Sequence, residues 1–174
     1  MISTVKVKYQ GAVPSDAQLG KREYNNLRTE SWFTTGKYWF QHFREKHFTK
    51  AGAQEYGYKR RKGELIAKSS PRYKRSYTGR KEAQFGHTDP LVFTGESKRA
   101  SRQSNIRSTN SGVRVSLPGL RKFNFRHPRS QINMAEEMRT ISEVEKLRLI
   151  QVHDQDTDQR LNSFRKVTTI THKG

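Results

Sequence analysis

The sequence predicts an α+β fold: a long N-terminal helix packed on a small antiparallel sheet, a C-terminal helix and an extended basic arm. Three stretches of the chain predict it. Residues 16–48 carry apolar side chains at spacings close to helical, and residues 105–117 alternate around a turn. Residues 142–164 open with a capping box and carry a second apolar stripe. We expect a single domain over residues 1–174.

Composition limits the size of the core and the kinds of partner. Only 31% of the 174 residues are hydrophobic, so we expect a small core with long polar segments. The 35 Lys and Arg outnumber the 16 Asp and Glu and give a net charge of +19. Such an excess predicts a polyanion or an acidic protein surface as neighbour. The chain has no cysteine, and no run reaches the roughly 18 apolar residues of a membrane span.

The N-terminal region predicts a strand followed by a helix. Residues 2–9 alternate between apolar and basic side chains, which indicates a half-buried strand. Ser15 and Gln18 fit a capping box, so the helix is expected to begin at Asp16 and to end near Phe48. Gly36 is the expected kink or interruption within it.

The predicted helix carries a dense aromatic cluster whose central members are Trp32, Trp39 and Phe43. Aromatic stripes on a helix are usually buried, so we interpret these three as core or inter-subunit packing. The alternative is base stacking, which needs an exposed aromatic platform interleaved with charge.

Residues 50–82 predict the extended basic arm. Residues 46–82 contain 12 basic and 3 acidic side chains, and their periodicity is poor. Four tyrosines interrupt the charge, and tyrosine with arginine is typical of protein interfaces. We therefore expect partners to order this arm, and trypsin to remove it first from the free protein. The predicted partner-binding residues are Tyr56, Tyr58, Arg60, Arg61, Tyr73, Arg75 and Tyr77.

The stretch from Pro90 to Gly95 is one of the few compact apolar runs. The residues alone favour a core strand over Pro90–Thr94 with a tight turn at Gly95, where a glycine permits the bend. A short helix is expected over residues 96–104. Residues 105–108 and 113–117 then predict a hairpin with a turn between them.

The C-terminal part predicts a helix with a clear start. Ser142 and Glu145 form the capping box, and the helix is expected to run to about Phe164. Its predicted apolar face consists of Val144, Leu147, Ile150 and Leu161, with Leu149 and Val152 beside it. Residues 167–171 are expected to form a closing edge strand.

The sequence contains no recognisable catalytic constellation. Asp154, Asp156 and Asp158 imitate the start of a calcium loop, but Gln159 and Arg165 occupy the positions where such a loop needs Gly and Glu. The chain lacks a phosphate loop, a dinucleotide fingerprint and a nucleophile elbow. We expect neither an enzyme nor a site for a cofactor or a metal.

Several features in one order resemble a known class of protein. They are the aromatic segment 39–44, the Tyr/Arg/Lys-rich segment ending at Gly86-His87, the Pro-Leu-Val-x-Thr-Gly motif of residues 90–95, and the segment 137–145 leading into a helix. This set resembles virion morphogenesis proteins of tailed bacteriophages, of the tail-completion, neck or minor-tail type. In those proteins Arg-Leu often follows Thr-Gly, whereas this chain has Glu96-Ser97.

The resemblance implies a structural virion protein, assembled in the host cytoplasm at the head–tail junction or the tail end. It implies binding to other neck or tail proteins, and a homo-oligomeric ring with six subunits favoured. The basic segments would then bind either acidic surfaces of neighbouring virion proteins or, without sequence specificity, the packaged DNA. No membrane partner is expected.

The alternative function is a ribosomal or other RNA-associated protein. It too would combine high positive charge, long arms and a modest core. The neutral C-terminal region and the aromatic cluster favour protein–protein packing, and the sequence lacks an aromatic ribonucleoprotein strand and a GXXG loop.

Overall fold

A computed structural model describes residues 20–124 and 131–170 of the chain, with side chains as far as 163. Within these ranges the chain forms two compact units. Unit 1 comprises residues 43–104 and 117–140, and unit 2 comprises 20–42, 105–116 and 141–170. The predicted strand over residues 2–9 and the capping box at Ser15 lie outside the described residues.

The elements follow one another along the chain and confirm the α+β class. They are α1 (Lys21–His42), a 3-10 helix (Arg44–Phe48), α2 (Lys50–Glu55), α3 (Pro71–Arg75), α4 (Tyr77–Phe85), α5 (Glu96–Ala100), β1 (Asn105–Thr109), β2 (Gly112–Ser116), a second 3-10 segment (Pro118–Asn124), α6 (Met134–Glu137) and α7 (Glu143–Ile170).

Unit 2 joins the long helix α1 to the two-stranded sheet and to α7. Strands β1 and β2 pair antiparallel with Ile106 opposite Val115, as the predicted hairpin requires. The apolar side of the hairpin packs on α1 at Gly36, where a Cβ would come within 2.6 Å of Val113 Cγ2. Helix α1 runs without a break through Gly36, so this glycine permits close packing and is not an interruption.

Helix α7 begins where the capping box predicted. The Glu145 amide donates to Ser142 Oγ at 3.2 Å, and the Ser142 amide donates to Glu145 Oε2 at 3.4 Å. The buried face nevertheless differs from the prediction, because Val144 and Leu147 are 66% and 63% exposed. The face that is buried instead contains Glu145, Leu149 and His153, which lie one turn apart.

The end of α7 also differs from the prediction. The helix continues to Ile170, so the edge strand expected over residues 167–171 does not form within the described residues. Of the predicted face, Leu161 is buried and Ile150 is partly buried.

Two pairs of short helices in unit 1 are each separated by a single capping residue. Thr49 caps α2 by accepting from the Gly52 amide at 3.0 Å, and Ser76 caps α4 by accepting from the Gly79 amide at 3.1 Å. A Cβ at either glycine would lie about 2 Å from a carbonyl oxygen of the preceding helix. The two glycines therefore let consecutive helices turn sharply at one residue.

Residues 50–82 are folded and do not form an extended arm. They contain α2, α3 and the start of α4, and they bury Tyr56, Tyr73 and Thr78. Caps at Thr49, Ser70 and Ser76 start these helices, which are too short to produce a recognisable apolar periodicity.

The predicted strand over Pro90–Thr94 does not form, because this segment is an irregular turn. Leu91 and Val92 are buried, whereas Phe93 is 48% exposed. Leu91 adopts a φ of 55°, a left-handed conformation that costs a branched side chain about 1–2 kcal/mol. Gly95, with a φ of 80°, makes the bend that the sequence predicted and starts α5.

The packing of Gly36 gives a testable prediction. Gly36→Ala would gain about 1 kcal/mol of helix propensity but overpack Val113, which typically costs 1–3 kcal/mol. We expect a net loss of unfolding free energy in chemical denaturation. In a Val113→Ala background, Gly36→Ala should decrease the unfolding free energy much less. An equal cost in both backgrounds would show that Val113 is not the obstacle.

Candidate interaction site

The predicted partner-binding residues all lie in unit 1, but the structure uses them in different ways. Tyr56 and Tyr73 are buried, and Tyr58 and Arg61 are partly buried with partners inside the unit. Arg60, Arg75 and Tyr77 are exposed. Only these last three are available to a partner in this conformation, and their role in binding stays a prediction.

Two of the tyrosines surround a buried histidine. The ring of Tyr56 stacks on His47, with centroids 4.2 Å apart and planes inclined by 8°. The Tyr58 hydroxyl and His47 Nδ1 share a hydrogen bond of 2.5 Å. Burial lowers the pKa of His47 from 6.5 to about 4, so the imidazole is neutral at pH 7. This cluster is part of the core of unit 1.

Arg61 forms an ion pair with Glu137 in the same unit. Its Nη1 and Nη2 donate to the two carboxylate oxygens at 2.9 and 2.5 Å, and the two side chains are 10% and 9% exposed. The Lys59 amide donates to the same carboxylate at 3.3 Å, and the Lys59 carbonyl accepts from Arg61. Such a bidentate pair fixes geometry as well as charge.

Tyr73 also has an internal role. Its hydroxyl donates to Glu82 Oε2 at 2.5 Å, and Lys68 donates to the other oxygen of that carboxylate at 2.5 Å. These hydrogen bonds, to Lys68 first and Tyr73 second, hold the pKa of Glu82 below its usual value. The contact joins α3 to α4.

The three predicted core or interface aromatics are all buried. Trp32 and Trp39 lie in the core of unit 2, where the Trp32 ring is 4.1 Å from that of His153. Phe43 is buried in unit 1. None of the three offers an exposed stacking platform, so the base-stacking alternative finds no support at these positions.

A cavity of about 540 Å³ opens beside the Pro90–Phe93 turn of unit 1. Its buried lining is largely apolar and includes Leu91, Val92 and Phe123. Phe93 and Tyr77, 48% and 41% exposed, lie in the lining with ring centroids 6.3 Å apart. The rings of Phe85 and Phe93 meet edge to face with centroids 4.7 Å apart, which adds a third ring to the aromatic patch.

Lys81 is the unusual group in this cavity. It is only 4% exposed, and its ammonium donates to the backbone carbonyl of Asp89 and lies 6.0 Å from the Tyr77 ring centre. Burial lowers its pKa. Sequence analysis missed this residue, because one lysine within a long basic segment gives no sign that it will be buried.

The described residues hold no group of three or more His, Asp or Glu side chains suited to a metal ion. Among the same residues, no helix combines the length and apolarity needed to cross a membrane. Comparison with known protein families, curated proteins and solved structures finds no match to this chain.

The buried histidine predicts acid sensitivity. Since the folded pKa of about 4 lies below the unfolded value of 6.5, the unfolded state binds more protons between these values. The free energy of unfolding should therefore decrease as pH falls through this window, by on the order of 3 kcal/mol from His47. Urea unfolding of the His47→Gln variant should depend less on pH than that of wild type. His42→Gln, at an exposed position of α1, is the matched control and should keep the wild-type slope.

The ion pair predicts a contrast between two adjacent arginines. Arg61→Ala leaves Glu137 buried without its partner and should cost about 3–5 kcal/mol. Arg60→Ala, at an exposed position, should change stability by less than about 0.5 kcal/mol. Replacing both partners, by Arg61→Met with Glu137→Leu, should recover most of the loss. Equal stability of the two alanine variants in urea would contradict this assignment.

Proposed function

We propose that this chain is a structural virion protein of a tailed phage, of the tail-completion, neck or minor-tail type. It acts at the head–tail junction or tail end by binding neighbouring virion proteins, and it forms a ring with copies of itself. It works by binding and not by catalysis. The ordered motifs of the sequence support the class, and unit 1 supports the mode of action.

The observation that carries the proposal is the exposed aromatic patch at the Pro90–Gly95 motif. If this motif were only a core strand, Phe93 would be buried, but nearly half of its surface is open to water. Single exposed apolar side chains are common on protein surfaces, whereas a cluster beside a cavity is typical of interaction sites. Phe93 lies in such a cluster with Tyr77 and Phe85.

Unit 1 also concentrates the positive charge. Residues 43–104 and 117–140 contain 21 Lys and Arg and 8 Asp and Glu, a net charge of +13 out of +19. Aromatic and cationic groups together favour an acidic protein surface as the partner. Protein contact of this kind is less sensitive to salt than binding to DNA, because aromatic burial contributes to it.

The same charge excess favours a second candidate, an RNA-associated protein such as a ribosomal protein. Purification distinguishes the two candidates, because the chain should purify with virions in the first case and with ribosomes in the second. Mass spectrometry of particles purified through nuclease treatment and a high-salt wash should detect the chain at a fixed ratio to the other virion proteins. Cosedimentation with ribosomes, and absence from washed particles, would select the RNA-associated candidate instead.

A charge-reversal pair tests whether unit 1 makes the assembly contacts. Arg60→Glu with Arg75→Glu changes two exposed side chains of unit 1 and spares the buried Arg61. We expect this variant to fold normally and to fail to enter particles, as measured by quantitative mass spectrometry. Lys37→Glu with Arg107→Glu makes the same change of charge on exposed positions of unit 2 and should enter them.

Two other outcomes are informative. Normal incorporation of the unit 1 variant would exclude these arginines from the assembly contact. Normal assembly with poor retention of DNA would assign the charge to packaged DNA, in which case both variants should weaken retention in proportion to their charge.

A further inference from the structure

Lys81 has fewer partners than a buried ammonium group needs. An ammonium group has three donors, and the Asp89 carbonyl takes one of them. The face of Tyr77, 6.0 Å away, adds a weaker attraction. Among the described residues, no carboxylate lies within 4 Å of Lys81 Nζ, although Glu64 and Asp89 also line the cavity.

Burial of an ammonium group is unfavourable unless the charge is paired. The side chain does not escape to water, since the residue is 4% exposed. The described residues therefore satisfy only part of the hydrogen-bonding capacity of this ammonium group, which lies in the same cavity as a cluster of apolar side chains. An anionic group entering the cavity would supply the acceptor that the folded chain does not.

The rest of the lining restricts what else the ligand must contain. Leu91, Val92, Phe93, Phe123 and Met134 give the cavity an apolar wall. The volume of about 540 Å³ lies within the usual range for a small-ligand pocket and accommodates one or two large side chains. A ligand that fills it needs an apolar group as well as a negative charge.

These features distinguish a peptide from a nucleic acid. A phosphate on a duplex is held at the surface of a stiff rod, and binding to it needs cations that project outward. Lys81 lines the cavity but is only 4% exposed, so a phosphate on the surface of a duplex does not reach its ammonium group. An Asp or Glu next to an aromatic or aliphatic residue has both the reach and the chemistry to enter.

We propose that this cavity binds a segment of a neighbouring protein in which an acidic residue adjoins a large apolar one, with the carboxylate on Lys81 and the apolar side chain against Phe93. The proposal rests on the proposed function as a protein-binding assembly component. It adds the chemistry of the contact, which is an acidic-apolar peptide. The net charge of unit 1, at +13, favours the approach of such a segment.

The test uses the full-length protein and fluorescein-labelled ten-residue peptides in a Gly-Ser background. One peptide carries a central Glu-Phe pair, a second carries Gln-Phe and a third carries Glu-Ser. Fluorescence anisotropy at about 150 mM salt should show the Glu-Phe peptide binding about tenfold more tightly than either of the others, as expected for the loss of a charge-assisted hydrogen bond or an aromatic contact. Equal binding of Glu-Phe and Gln-Phe would overturn the proposal.

Variants then locate the binding site. Lys81→Met keeps an unbranched apolar side chain and removes the charge, so it should abolish the preference for Glu over Gln. Lys62→Met removes the same charge from an exposed residue of the lining and should keep the preference. Phe93→Ala should weaken both Phe peptides and leave the Glu-Ser peptide unchanged. A Lys81→Met protein that keeps the preference would place the contact elsewhere.

Two controls make these results decisive. If Lys81→Met fails to fold, Lys81→Arg takes its place in the test. This variant keeps the positive charge and should retain the preference for Glu over Gln. Loss of the preference in a folded Lys81→Arg protein would count against the site. Displacement of the Glu-Phe peptide by duplex DNA from wild type but not from Lys81→Met would identify a phosphate site and overturn the peptide assignment.

The outcomes for the cavity and for the proposed function are separable. If the protein distinguishes the peptides but is absent from purified particles, the proposed function is wrong and the assignment of the cavity still holds. Presence in particles without peptide discrimination would remove the cavity assignment alone.

Discussion

The ion pair between Arg61 and Glu137 is the contact on which the arrangement of unit 1 depends. It joins residues 76 positions apart in the sequence and fixes α6 to the segment that precedes α3. Removing two charges from water is costly, so the pair is maintained by its bidentate geometry and by the Lys59 backbone. Tyr58 lies in the same short segment, and its hydrogen bond to His47 links the ion pair to the aromatic core. A chain with few hydrophobic residues therefore builds its core partly from polar groups that satisfy one another.

The sequence predicted the features that depend on neighbouring residues. The capping box at Ser142 and Glu145, the hairpin of β1 and β2 and the long helix α1 each have a signal within a few positions. The burial of Trp32 and Trp39 followed from their spacing. The phase of α7 was predicted incorrectly because Val144, Leu147, Leu149 and Ile150 supply more than one apolar stripe. Packing within unit 2 decides which stripe is buried.

The features of the candidate site depend on residues far apart, and sequence reasoning missed most of them for that reason. No local pattern pairs Arg61 with Glu137 or places Lys81 beside the Asp89 carbonyl. Tyrosines among basic residues indicated an interface, but a small core also needs amphipathic rings. Tyr56 and Tyr73 are used in that way. Phe93 is exposed two residues after Leu91, whose left-handed backbone a branched residue rarely adopts and no local pattern indicated.

The ion pairs of unit 1 do not balance its positive charge. Among the described residues, at least five of its eight carboxylates form ion pairs with Lys or Arg of the same unit, namely Glu45, Glu55, Glu82, Glu96 and Glu137. Most of the remaining cations consequently have no internal carboxylate to pair with, and the negative charge that balances them comes from salt, nucleic acid or another protein.

The two units alternate along the chain, and this has a consequence for synthesis on the ribosome. Among the described elements, α1 is made before all the others, yet α7, against which it packs, is made after them. The α1–α7 contacts thus close a loop of about a hundred residues, and such distant closure slows folding and raises contact order. Residues 43–104 emerge before the hairpin is complete, and the Arg61–Glu137 contact forms only after residue 137 has been made. A nascent chain stalled before α7 would leave exposed the side of α1 that α7 covers, including Trp32, while the hairpin could already pack on the rest of the helix.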